Sequence, residues 1–378
     1  MENEPLLMMP GPVPMPERVR SVMSRQAINH RGAEFGAIYE DCVRMLKPVF
    51  GTQNDLYVLS GSGTAGMEAA VSNFCAGKKI ASLVNGKFGD RLYQIADCYG
   101  DATAVKSEWG TPLDLEGLAE ALENGAEAVT LVHNETSAGI KNPAPEVGAL
   151  ARKHDALFIM DGVTSIGGDL VEADKWGADI ALVGSQKCLA APAGLSAISV
   201  SERAWDRIVE KRPFYLDMAA YRKSGAKKPM QTPYTPAVPL YLALREACKI
   251  IEEEGIEARI ARHRRMSASV RAAAAAWGVE LFPTLDEHHE YSNTVTAMKI
   301  PGGLTDAEFR GAVLDAGIAI AGGQDHLKNV IFRIGTMGAV GTTEILATLA
   351  VVQRTFVKLG VKPEGDGVQA AAEVLGCE

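Results

Sequence analysis

The chain of 378 residues is short of the features that would tie it to a membrane, a nucleic acid or an oxidising compartment. Its apolar runs fall well below the roughly 20 residues that a bilayer span needs, and Met1-Glu-Asn-Glu-Pro lacks the basic and apolar regions of a secretory leader. A cytoplasmic protein without a membrane partner is the expectation. There is no basic tract, and a formal net charge of -9 argues against a phosphate-backbone partner, so no nucleic acid is expected. The six cysteines (Cys42, Cys75, Cys98, Cys188, Cys248 and Cys377) show neither CxxC nor Cys/His ligand spacing, which points to reduced thiols and to neither a disulfide framework nor a metal site.

What is present is a long alternation. Leu56-Tyr57-Val58-Leu59 reads as a strand, and the glycine-rich turn Ser60-Gly61-Ser62-Gly63-Thr64 leads into a helix from Ala65. Strands then fall at 80–84, 102–105, 128–133, 156–161 and 179–183, with helices at 90–99, 113–123 and 145–154 and a short crossover at 173–177. Six strands at this spacing are the pattern of an α/β protein whose mostly parallel sheet is covered on both faces. Ligands in such sheets sit beyond the carboxyl ends of the strands. After helices at 239–254 and 256–277 the pattern changes to strands at 279–282, 294–300, 318–321 and 330–334 with helices at 305–316 and 343–359, a smaller α+β unit. The division read from this is an extended proline-rich arm (1–20), a large domain (21–255) and a small C-terminal domain (256–378). The Gly- and Ala-rich stretch from Pro363 reads as loosely held.

Three strand ends carry chemistry. Gly61-Ser-Gly-Thr-Ala-Gly66 matches GxGxxG, so a nicotinamide-dependent dehydrogenase is one reading. That fingerprint also requires a carboxylate at the end of the next strand, where this chain has Val84-Asn85-Gly86. A helix N-terminus with hydroxyls, suited to a phosphate, survives. Asp161 ends an apolar strand, where a carboxylate is desolvated unless a cation pairs with it or it caps a helix. Lys187 follows the apolar run Ile180-Ala-Leu-Val-Gly184 into a loop of small residues without a nearby acid. An amine that loses hydration has a lowered pKa and becomes a nucleophile toward a carbonyl, which is what a Schiff-base lysine requires; otherwise it is a strand-end lysine in water. A phosphate cup, an anion and an amine at one sheet edge fit pyridoxal 5'-phosphate, with Phe88 available to stack on the ring.

Ser60-Gly-Ser-Gly-Thr64, Asn85-Gly-Lys-Phe-Gly89, His133-Asn-Glu-Thr-Ser-Ala-Gly139, Asp161-Gly-Val-Thr-Ser165 and Gly184-Ser-Gln-Lys187 stand in an order and spacing that resemble class V aminotransferases of the alanine-glyoxylate or serine-pyruvate type. The likeness runs from Pro10-Gly11-Pro12 to Phe332-Arg333-Ile334-Gly335. It implies a fold-type I transferase whose large domain holds a mostly parallel seven-stranded sheet, and in which Lys187 carries the cofactor and then moves a proton, while Asp161 pairs with the pyridine nitrogen. It further implies Phe88 and Val163 on the two ring faces, Thr136 near the ring hydroxyl, and Ser62, Gly63, Thr64 and Gln186 on the phosphate. Gly11 and Arg333 fall on the substrate side, Arg333 as the clamp for the α-carboxylate. A homodimer with shared active sites is implied as well, Thr235 reaching the phosphate of the partner subunit.

Small amino acids (alanine, serine, aspartate) and 2-oxo acids (glyoxylate, pyruvate, 2-oxoglutarate) are the substrates the resemblance implies, used in ping-pong half-reactions. Phe88 stands where animal glyoxylate enzymes often have tryptophan, and Thr64 where some relatives have histidine. The cysteine desulfurase branch fits less well, because Gln186 replaces its histidine and no cysteine lies between Cys248 and Cys377. A member of the fold that binds a partner or cofactor without turnover is the third reading. Arg31 serves either a second carboxylate or the surface.

Overall fold

The computed structural model describes residues 4–376, so Cys377 lies outside it. Its centre is a seven-stranded sheet in the spatial order Asp55–Ser60, Leu195–Val200, Ile180–Gly184, Leu157–Asp161, Ala128–Val132, Lys79–Val84 and Asp101–Lys106. Leu195–Val200 runs antiparallel to both of its neighbours, and the other pairings are parallel. Six strands therefore end at the same edge. The register aligns Val132 with Asp161 and Asp161 with Leu182, which places three strand ends side by side there.

The middle strands are buried along their whole length because helices cover both faces, and the alternation of side chains divides the core in two. Phe158, Met160, Ala181 and Val183 face one side with Phe35, Leu46 and Tyr241; Leu157, Ile159, Ile180 and Leu182 face the other with Met67 and Phe74. A third core forms around the three-stranded antiparallel sheet of Val295–Lys299, Ile331–Gly335 and Ala321–Gly322. Phe309, Phe332 and Phe356 pack together there against Met266 and Val270 of the long helix Ile256–Trp277.

Several sequence expectations are corrected. Leu195–Val200, which completes the seven strands, and the helix Met218–Gly225 were not read from the sequence. The 279–282 segment contributes a single bridge from Leu281 to Met298, and the strand expected at 318–321 is two short pieces. The tail is not loose: Gly367–Leu375 is a helix capped by Asp366, with Ala371 fully buried in the third core. The N-terminal residues Leu6 and Leu7 pair with Ile318 and Ala319, and Met8 is fully buried in that same core. This anchoring brings Pro10 and Gly11 to the edge of the large sheet.

Candidate active site

One cavity lies at the shared strand edge. It is lined by Ser62, Gly63, Thr64, Phe88, Arg91, Asn134, Thr136, Asp161, Val163, Gln186 and Lys187, together with Met67, Val132 and Thr164. Asp161 and Lys187, at the ends of neighbouring strands, face the same space.

Its first wall is the start of the helix Gly63–Phe74, with Ser62 as N-cap. The first amides of a helix have no partner within it and carry its positive end, so this wall is an anion site. Gly63 is required for closeness, since a Cβ there would lie 2.8 Å from Val163 Cγ2. The dinucleotide reading fails at the next strand end: the buried Asn85 side chain bonds to Asn142 and to the Thr111 carbonyl, and no carboxylate replaces it.

Asp161 is 2% exposed and accepts a 2.7 Å hydrogen bond from the Val163 amide. Burial pushes its carboxyl up to about 7, against the opposing pull of that bond. Lys187 Nζ donates to the Pro10 carbonyl at 2.7 Å. Burial brings this amine down to about 8, with the Arg333 guanidinium adding to the effect. Each group is thus ready to exchange a proton near neutrality.

Phe88 stands in the first turn of the helix Lys87–Tyr99, and its position is fixed from beneath by Glu135, which the sequence reading had not singled out. Glu135 is fully buried, and its Oε2 accepts from the amides of Phe88 and Gly89 at 2.9 Å each; Oε1 accepts from the amide and hydroxyl of Ser137. Burial raises its pKa while these four donors oppose the rise. Gly86 admits this arrangement, because any Cβ there would overlap the Glu135 side chain. The signal in the sequence was an acid inside an otherwise neutral buried motif.

Arg333 is 5% exposed and does not itself line the cavity. Its Nη1 donates to the Thr136 carbonyl at 2.8 Å, and Nε and Nη2 donate to the Gly322 carbonyl at 3.0 and 2.7 Å. Three of its five N–H groups are so committed, which leaves two uncommitted. Burial lowers its pKa to about 10. Gly11 has φ +118° and lies against the lysine, a Cβ there falling 2.7 Å from Nζ. Thr235 is exposed and outside this cavity within the one chain. Arg31 is exposed, as the surface alternative has it, and donates to Gln231 Oε1 and to the carbonyls of Thr232 and Pro233, tying down the loop that leads to Thr235.

Two buried acceptors lining the cavity, Asn134 Oδ1 and Gln186 Oε1, have no hydrogen-bond partner. Such atoms are costly unless a ligand supplies donors. An anion site, a carboxyl and an amine lining one cavity, with unpartnered acceptors on two further lining residues, suit a phosphorylated pyridine aldehyde. The fold and the site are those of a fold-type I enzyme that uses pyridoxal 5'-phosphate.

Residues 17–341 match the family model described as aminotransferase class-V, and the chain belongs to that family. It is 46% identical to an uncharacterized aminotransferase of Methanocaldococcus jannaschii, over 98% of this chain and 97% of that one. It is 34% identical to the serine--glyoxylate aminotransferase of Methylorubrum extorquens, over 98% and 95%. Its fold superposes on the ureidoglycine-glyoxylate aminotransferase of Bacillus subtilis with a TM-score of 0.92 and 33% identity, covering 98% of both chains. The protein is a pyridoxal-phosphate-dependent aminotransferase, which sets aside the nicotinamide and non-catalytic readings. Among the described residues, no helix is long and apolar enough to cross a membrane.

Proposed function

We propose that this chain moves an amino group from a small amino acid to glyoxylate or a closely similar 2-oxo acid, with Lys187 and Asp161 as its catalytic residues. The observation that carries the reading is that both line one cavity whose far wall is a free helix N-terminus. Bound there, pyridoxal phosphate supplies an aldehyde that takes up the amino group and a ring that accepts the electron pair released at the donor's Cα.

Lys187 would be the residue that holds the aldehyde. Its lowered pKa then leaves a useful share of free base near neutrality to carry the proton away from Cα. Asp161 keeps the ring nitrogen protonated, and that cation in turn favours the ionised carboxylate against the burial that raises its pKa. Ser62, Gly63, Thr64 and Gln186 hold the phosphate; Phe88 and Val163 flank the ring, and Thr136 with Asn134 borders its hydroxyl. Arg333 clamps the α-carboxylate that every donor shares with the two N–H groups it has to spare. Gly11 belongs to the seat of Lys187 as much as to the substrate side.

Glyoxylate is favoured as acceptor because both the Methylorubrum and the Bacillus enzymes are named for it. A homodimer completes the site in this reading, Thr235 reaching the partner's phosphate. Its support is the exposed aromatic surface beside Thr235, where Phe214 is 82% exposed and packs with Tyr234. A cytoplasmic location suits the five described cysteines, all free thiols.

A screen of alanine, serine and aspartate against glyoxylate, pyruvate and 2-oxoglutarate tests the substrate assignment. Turnover of a donor with glyoxylate is expected; activity confined to the other two acceptors would overturn it. Lys187→Ala should lose the absorbance band that borohydride bleaches and nearly all turnover while keeping its circular dichroism, and retained turnover would dismiss the lysine's role.

A further inference from the structure

Arg91 lines the cavity, and the functional reading leaves it without a task. It stands one turn after Phe88 on the helix Lys87–Tyr99, with its guanidinium carbon 4.8 Å from the centroid of the Phe88 ring. Its Nη1 approaches Thr64 Oγ1, in the first turn of the helix Gly63–Phe74, at 3.5 Å, the outer limit of a hydrogen bond. Among the described residues it forms no ion pair and no shorter hydrogen bond. A guanidinium in a cavity wall without an anion gives up hydration for little return, and its planar fork of donors is shaped for carboxylate or phosphate.

The charge balance of the cavity points the same way. Its lining contains two cations, Arg91 and Lys187, and Lys187 is committed to the aldehyde. A phosphoester arriving with nearly two negative charges would otherwise meet only helix amides, hydroxyls and the Gln186 amide. We propose that Arg91 is a cofactor-binding residue that donates charge-assisted hydrogen bonds to the phosphate, while its stacking holds Phe88 against the ring. This assignment rests on the pyridoxal phosphate reading of the site.

The test compares two ligands that differ only in the phosphoester. Cofactor-free wild type, Arg91→Gln and Arg91→Lys are titrated with pyridoxal phosphate and with pyridoxal, followed by the band that borohydride bleaches. Arg91→Gln is expected to weaken pyridoxal phosphate about 10- to 100-fold, the usual worth of hydrogen bonds to a charged group, and to leave pyridoxal within about twofold. Arg91→Lys, which keeps the charge and not the fork, should show a smaller loss with the same selectivity and guards against a Gln variant that fails to fold. Equal losses for both ligands would reduce Arg91 to a support for Phe88 and overturn the proposal. So would unchanged affinity for both ligands, or an unchanged cofactor affinity with a raised KM for aspartate, which would assign the guanidinium to a donor's second carboxylate. A wild type that captures neither ligand would instead sink the cofactor reading itself.

Discussion

Replacing Gly11 by alanine tests how the lysine is seated. Gly11 has φ +118°, a region that an L side chain enters at a cost of about 1–3 kcal/mol. The added Cβ would lie 2.6 Å from Lys187 Cδ and 2.7 Å from Nζ, whereas ordinary contact begins near 3.5 Å, so the amine must retreat by roughly 1 Å. In retreating it gives up the Pro10 carbonyl, a hydrogen bond from a cation worth about 1.5–3 kcal/mol. A displacement of that size costs on the order of a hundredfold in a reaction governed by alignment. Gly11→Ala should therefore lower the stability of the cofactor-free protein by about 1–3 kcal/mol from backbone strain alone, read as a urea midpoint. It should also slow capture of pyridoxal phosphate by the apoprotein, an assay without substrate. A variant with the wild-type midpoint and capture rate would refute the close approach, and one with normal capture but a raised KM would return Gly11 to a purely substrate-side role.

Titration of the cofactor-free protein should show both perturbed groups. Below about pH 8 the Lys187 amine is charged in folded and unfolded chains alike and the folded state carries its burial cost; from about 8 up to the ordinary lysine range only the unfolded chain keeps the proton, so stability rises across that window. Asp161 acts in the opposite sense: from the ordinary carboxylate range up to about pH 7 the folded chain keeps the proton that the unfolded chain has lost, so stability falls across that window. Subtracting the pH profiles of Lys187→Met and Asp161→Asn from that of the wild type should isolate the two slopes, and flat differences would contradict the burial argument. Arg333→Lys should raise KM for every donor with little change in cofactor affinity, lowering kcat/KM by about 10- to 100-fold as the fork to a carboxylate is lost; an effect limited to one donor would argue against α-carboxylate binding. Glu135→Gln keeps the size of the side chain but turns an N–H2 toward donors, stranding either the Phe88 and Gly89 amides or the amide and hydroxyl of Ser137. A loss of about 2–4 kcal/mol and weaker cofactor binding are expected, and a neutral result would mean that Phe88 is held by other contacts.

Which parts of this molecule were legible in the sequence follows from how each part is positioned. The residues at the large sheet's edge could be found because parallel strands with helical crossovers place their carboxyl ends together whatever the packing details, so the apolar runs before Asp161 and Lys187 located both. Leu195–Val200 escaped because two serines among its six residues dilute the β signal and Gly194 before it reads as a loop; only its insertion between two strands buries it throughout. The tail misled for a related reason. Small residues signal looseness by composition, yet a Cβ on Gly367 would overlap the Trp277 indole, so smallness here permits close packing of the last helix.

The contacts that complete the site are the least local of all. Lys187 meets Pro10 across 177 positions and Arg333 meets Thr136 across 197, and in both cases the distant partner is delivered by the third core. Met8 buried in that core sets where Gly11 lies, and the strand Ile331–Gly335 sets where the guanidinium lies. A change in the third core alone, such as Phe332→Ala, should thus disturb the seat of the lysine and the placement of the Arg333 guanidinium together. Truncating a fully buried phenylalanine costs about 3–5 kcal/mol, and a variant that still folds should lose both cofactor capture and donor affinity. Loss of stability with neither of the two affected would show that the sheet edge assembles the site without help from that core.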